Sequence, residues 1–111
     1  MEIAEHRAGD VTILEIKGRI DSNAAGAFGD RLTGLIKAGR ARLVVDLKQI
    51  IYISSAGFRA LLVAGQLAEE TNGTLALCAL SAEVQRLFDL GSFTDLFVIY
   101  PSREEGLAKL S

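Results

Sequence analysis

The chain has 111 residues, half of them hydrophobic and 23% charged, and a formal net charge of -2 from 12 basic and 14 acidic side chains. That mixture can bury enough apolar surface to offset chain entropy in one domain spanning 1–111, and no repeat, linker or low-complexity stretch marks a second. No Lys or Arg stripe offers a grip on nucleic acid, no apolar stretch approaches the roughly 20 residues that span a bilayer, and the acidic start Met1-Glu2-Ile3-Ala4-Glu5 is unlike a signal peptide, so a cytoplasmic domain without membrane insertion is expected.

Glu2 to Arg7 and Val11 to Lys17 read as two extended segments joined by Ala8-Gly9-Asp10, whose Gly and Asp suit a hairpin turn. His6, the only histidine, falls on the first of them with no Ser or Cys nucleophile beside it and reads as a surface residue. After Gly18-Arg19-Ile20-Asp21, the pair Ser22-Asn23 offers cap chemistry, and Ala24, Phe28, Leu32, Leu35 and Ile36 recur at helical spacing until Gly39. Arg42 to Leu47, with Leu-Val-Val between charges, fits a central strand covered on both faces.

Ser54 or Ser55 can cap a second helix whose one face is Phe58, Leu61, Leu62, Gly65 and Ala68, ended by Asn72-Gly73. Val63 and Leu67 widen its apolar surface, which predicts deep burial. Thr74 to Leu80 reads as a fourth strand, and Cys78 within it as an inert core thiol that has no second cysteine to pair with. Ser81 caps a short helix carrying Val84, Leu87 and Phe88, Leu96 to Tyr100 reads as a fifth strand, and a last helix follows Pro101. This order implies an α/β fold: a mixed sheet with right-handed crossovers and about four helices packed over it.

Ligands and partners of such sheets sit at the carboxyl ends of the strands. Two connections qualify: Asp46 to Ser55 after the central strand, and Gly18 to Ser22 after the second. In Ser54-Ser55-Ala56-Gly57, two hydroxyls stand where a helix begins, and small neighbours leave the first-turn amides open to an anion. Both serines also suit plain helix caps, and spacing alone does not separate the two roles. Asp46 stands where receiver-type proteins carry a phospho-accepting aspartate. A receiver needs an acidic pair for Mg²⁺ after its first strand, however, and that region here reads Gly9-Asp10-Val11 inside a hairpin. Asp21 can orient a neighbouring hydroxyl, repel a phosphate or cap the next helix. Gly-x-Ser-x-Gly, Cys-x-x-Cys, a Gly-rich nucleotide loop and a His-based metal cluster are all absent, so neither an enzyme nor a cofactor is expected.

Leu43-Val44-Val45-Asp46-Leu47 followed by Tyr52-Ile53-Ser54-Ser55-Ala56-Gly57-Phe58-Arg59-Ala60-Leu61-Leu62 resembles the STAS domain of bacterial anti-sigma factor antagonists, and Gly18-Arg19-Ile20-Asp21 resembles that family's Gly-x-Leu-Asp turn. The resemblance runs from about Glu2 to the end. It implies a four-to-five-stranded sheet with helices on one side, in a monomer or weak dimer that works by partner switching. Unphosphorylated, such a protein binds an anti-sigma factor that is also a serine kinase, and so frees the sigma factor. The kinase then phosphorylates it with its own ATP and Mg²⁺, the pair separates, and a PP2C-type phosphatase restores the active form.

The family's core, Asp-Ser-Ser/Thr-Gly-Leu-Gly, has its first serine as acceptor, which falls on Ser55. Ser54 replaces the preceding acid, Ala56 the second hydroxyl residue, and Arg59 a common glycine. One acceptor is therefore implied, with a partner surface of Asp21, Ser22, Asn23, Ser54, Ser55, Ala56, Gly57, Phe58 and Arg59. Two other readings stay open: a STAS scaffold without a phosphate cycle, docked on a transporter ATPase or signalling assembly, and a small-ligand or nucleotide-binding regulator.

Overall fold

Gly9, at φ +61°, turns the chain between β1 (Glu2–Ala8) and β2 (Val11–Ile20), which pair antiparallel from Glu2 opposite Lys17 to Ala8 opposite Val11. The computed structural model describes residues 1–111, and its remaining elements are α1 (Ser22–Lys37), β3 (Arg42–Ile53), α2 (Ser55–Glu70), β4 (Thr74–Cys78), α3 (Ala82–Leu90), β5 (Val98–Tyr100) and α4 (Arg103–Leu110). The five strands lie in the order β1-β2-β3-β4-β5, and every pair after the first is parallel. The expected α/β class, mixed sheet and four helices are thus present.

The core divides by face. Leu14, Leu43, Val45, Leu75 and Leu77 point toward α1, α2 and α3, where they pack on Phe28, Leu32, Ile36, Leu61 and Phe88. Val11, Ile13, Val44, Ala76 and Cys78 point the other way and are covered by Leu107 and Leu110 of α4. The resemblance implied helices on one side only, and α4 corrects that. Adjacent pairs such as Val44-Val45 and Ala76-Leu77 make both faces apolar, and a parallel sheet of that kind needs cover on both. Burial pushes the Cys78 thiol up to about 12, which keeps it protonated as a core group.

β3 does not stop at Leu47: it runs on through Lys48-Gln49-Ile50-Ile51-Tyr52 to Ile53, so the expected loop from Asp46 to Ser55 is mostly strand. Relative to β2 it carries two extra residues, one between the pairs Glu15–Asp46 and Lys17–Gln49, the other between Gly18–Ile50 and Arg19–Tyr52. Bulges of this kind break the two-residue alternation that marks a strand in a sequence. At the far ends the expected strands shorten. β4 stops at Cys78 because Ala79 adopts φ +58°, and β5 begins only at Val98, after a 3₁₀ turn at Thr94–Leu96. Val63, expected to be buried, is 49% exposed on the outer side of α2.

Asp46 therefore lies within β3, and it is buried. Its Oδ1 accepts from Lys48 N–H at 2.9 Å, and its Oδ2 accepts from Nε and Nη2 of Arg103 at 3.1 and 2.9 Å. Arg103 also pairs with Glu15, which in turn meets His6 Nε2 at 3.1 Å. The network ties α4 across β1, β2 and β3. Asp46 is thus a structural anchor, and the receiver reading fails on its geometry. Arg103→Ala is expected to lower stability by about 1–3 kcal/mol by leaving the Asp46 carboxylate without its partner.

The hydrogen bond from Arg103, with help from its charge and that of His6, holds the Glu15 carboxyl below its ordinary value of 4.5. A carboxyl depressed in the folded state stabilises above its unfolded value and loses that contribution as pH falls through the folded one. Urea titrations from pH about 7 to about 3 should therefore show an acid decline that is shallower in Glu15→Gln. Equal slopes for the two proteins would remove Glu15 from the account.

Candidate functional site

β2 and β3 end side by side, Ile20 opposite Ile53, and the Ser54 N–H donates to Ile20 O at 2.8 Å. Each strand turns directly into a helix, α1 behind Asp21 and α2 behind Ser54. Two helix N-termini are thereby set next to each other at one end of the sheet. Asp21 Oδ1 accepts from Ala24 N–H at 2.9 Å and Ser54 Oγ accepts from Gly57 N–H at 3.2 Å, so both residues are N-caps. Sequence reasoning left the cap open between Ser54 and Ser55, and between Asp21 and the Ser22-Asn23 pair. In both cases the earlier residue has the extended backbone that a cap requires.

Ser55 is released by this arrangement. It is the first residue of α2, exposed, with its Oγ in no intrachain hydrogen bond. The first turn of α2 holds no acidic residue and its cap is a neutral serine, so the positive end of the helix dipole meets no carboxylate there. α3 and α4 differ, with Glu83 and Glu104-Glu105 in their first turns. A phosphate on Ser55 would meet that uncompensated end, an interaction worth about 0.3–1 kcal/mol, so the fold can carry the modified serine.

The remaining candidates divide by burial. Ser22, Asn23 and Ala56 are exposed around Ser55. Arg59, four residues on and also exposed, makes no ion pair and reaches the rim of a shallow groove of about 370 Å³ between α1 and α2, lined in part by Ser22, Gly29, Ala56 and Ala60. Gly57 and Phe58 are buried, which corrects their expected place on a partner surface: they shape the corner from beneath.

Phe58 stacks on Phe93, with centroids 4.4 Å apart and planes at 14°, and meets Phe88 edge-on at 4.8 Å. This cluster supports the acceptor helix from below. Sequence reasoning did not connect it to the site, because its members come from α2, α3 and the segment after α3. A larger cleft of about 640 Å³, between the middle of β3 and the start of α4, is lined in part by Glu15, Asp46 and Arg103, whose charges already satisfy one another. It lies apart from Ser55, and no group of His, Cys, Asp and Glu in the chain is arranged to hold a metal ion.

Residues 2–106 match the family model described as STAS domain. The BtrV protein of Bordetella bronchiseptica is 30% identical over 108 residues, covering 97% of this chain and 93% of that protein. The anti-sigma-B factor antagonist of Bacillus subtilis is 30% identical over 94 residues, 85% of each. The structure of the Bacillus cell fate determinant SpoIIAA in its phosphorylated form superposes with a TM-score of 0.74 at 13% identity, covering 99% of this chain and 100% of that one.

Proposed function

The chain belongs to the STAS domain family, and from that premise we propose that it is an anti-sigma factor antagonist working by partner switching, with Ser55 as the switch. Its role is regulatory and not enzymatic, in line with the curated relatives. Unphosphorylated, it binds an anti-sigma factor serine kinase through Ser22, Asn23, Ser55, Ala56 and Arg59. Phosphorylation of Ser55 releases it, and a PP2C-type phosphatase resets it. The whole chain acts as one domain in the cytosol. No helix is long and apolar enough to cross a membrane.

The observation that carries this reading is the division of labour between the paired serines. Ser54 satisfies the helix terminus, so Ser55 Oγ is free for chemistry at an exposed corner next to a second helix start. Adding about two negative charges there opposes binding through repulsion and through the cost of burying an unpaired anion in an interface. Arg59, four residues along the same helix, is near enough in sequence to bind the phosphate and steady the released state.

The test is intact mass after incubation with ATP and a candidate serine kinase anti-sigma factor. Wild type should gain a single phosphate and Ser55→Ala none. Equal incorporation would overturn the assignment. Ser55→Asp should weaken kinase binding by about tenfold, a loss of about 1.4 kcal/mol. The absence of an acid at position 54 favours, as a second reading, a scaffold subunit without a phosphate cycle. Recovery of an ABC-type ATPase and no kinase on pull-down would select it.

A further inference from the structure

The two faces of the sheet are held down unequally. The apolar cluster under α1, α2 and α3 contains 19 buried residues, and the one under α4 contains six. α4 itself brings only Leu107 and Leu110 to that smaller cluster. Its eight residues are fewer than the roughly 12–15 at which a helix begins to stand alone in water. At its middle it carries Gly106, the poorest helix former after proline. Docking on the sheet is therefore what keeps α4 helical.

Two polar ties add to that docking, one at each end of the helix. At its start Arg103 bridges Asp46 and Glu15, and at its finish Arg42 Nη1 donates to Leu110 O at 3.4 Å. Arg103 and Glu15 keep 29% and 32% of their side-chain surface exposed, and ion pairs so open to water add little. There is also room to lift. Pro101, Ser102, Arg103 and Glu104 line one side of the cleft of about 640 Å³, so the first turn of α4 has no packed neighbour there. Cys78 has no exposed surface, and it lies near enough to this turn for the charges of Arg103 and Glu104 to act on its thiol.

We infer that α4 is a latch, which swings off the sheet as a unit while the five strands and the layer of α1, α2 and α3 stay folded. Opening uncovers the apolar face formed by Val11, Ile13, Val44, Ala76 and Cys78. The strands keep their partners throughout, because every pairing is between strands alone, and the larger cluster lies untouched on the other face. Openings of this kind cost less than global unfolding and belong to elements with few buried apolar contacts. The latch decides when the second face of the sheet meets solvent. It does not rest on the role of Ser55, which belongs to the helical layer on the opposite face.

Cys78, the only cysteine, reports the opening. The experiment is alkylation of the full chain by iodoacetamide, followed by intact mass at increasing urea, beside amide exchange of the isotope-labelled protein. Labelling is expected with a urea dependence well below that of global unfolding, because the open form bares little surface. The Gly106 amide, bonded to Ser102 O at 3.1 Å, should exchange at least as readily as Cys78 is labelled, and the Val44 and Val45 amides far more slowly. Arg103→Ala should speed labelling about tenfold by removing a tie. Gly106→Ala should slow it about fivefold, since a Cβ there would meet Val44 and Tyr100 at the ordinary packing distances of 3.5 and 3.6 Å. Ser55→Ala should leave the rate unchanged, and amide spectra report the folding of each variant. A urea dependence equal to that of global unfolding, or one rate shared by wild type and both α4 variants, would overturn the proposal.

Discussion

Replacing Phe88 with alanine is expected to remove about 3–5 kcal/mol of stability. Phe88 has no exposed surface, and its ring meets Phe58 edge-on at 4.8 Å and Phe97 at 5.5 Å. Truncation therefore loses the transfer energy of the ring, leaves a cavity between α3 and the sheet, and takes away two aromatic contacts. A domain of this length commonly holds about 5–15 kcal/mol in total, so this one change can take a third or more of it. Chemical denaturation followed by circular dichroism measures the loss, and a decrease below about 1 kcal/mol would contradict the packing described. The effect also reaches the corner. Phe58 lies three residues after Ser55 and between Phe88 and Phe93, so the acceptor turn should show faster amide exchange in Phe88→Ala than α1 does.

Gly57→Ala is expected to be the second large loss, about 1–3 kcal/mol, although alanine is the better helix former. A Cβ there would lie 2.9 Å from Cγ2 of Ile20 and of Ile53, and 3.2 Å from Ile20 O. Both isoleucines are buried and stiff at χ1, so neither can give way, and relief must come from lifting the first turn of α2 off the strand ends. The clash exceeds the propensity gain of up to about 1 kcal/mol. Gly65, in the same helix, supplies the control, because a Cβ added there would meet nothing within 4 Å. Gly65→Ala should be neutral to stabilising, so the two substitutions move the unfolding midpoint in opposite directions. If both stabilise, the close seat of α2 on Ile20 and Ile53 is wrong. Because a lifted turn displaces Ser55, Gly57→Ala should also weaken partner binding, whereas Gly65→Ala should not.

Much of the site was legible because its chemistry is local. Helix caps act within three residues, so a cap at the Ser54-Ser55 pair, the Ser81 cap and the turn at Asn72-Gly73 could be read from spacing, and small residues after a serine pair announce an open helix start. Asp46 was misplaced because its meaning is remote. Nothing near it in sequence reveals Arg103, 57 residues away, and a buried carboxylate cannot be told from an exposed one without its partner. The length of β3 was hidden by its two extra residues, which put Lys48 and Ile51 where alternation would not. Gly57 and Phe58 sit in the motif that carries the family resemblance, but only packing reveals that they act from below.

The sequence by itself determined the fold class, the element order, the inert core cysteine, the absence of a known catalytic constellation, and Ser55 as the residue to question. All but the last follow from composition, local periodicity and short motifs, whose physics is confined to a few neighbouring residues, whereas Ser55 was singled out from Ser54 by the family resemblance. Only the tertiary structure decided which of the two serines caps α2 and which is left free, that α4 closes the second face of the sheet through Arg103, and that β2 and β3 stay paired past the end of β4. These depend on where distant strands end relative to one another. That register is set by side chains from opposite ends of the chain packing together.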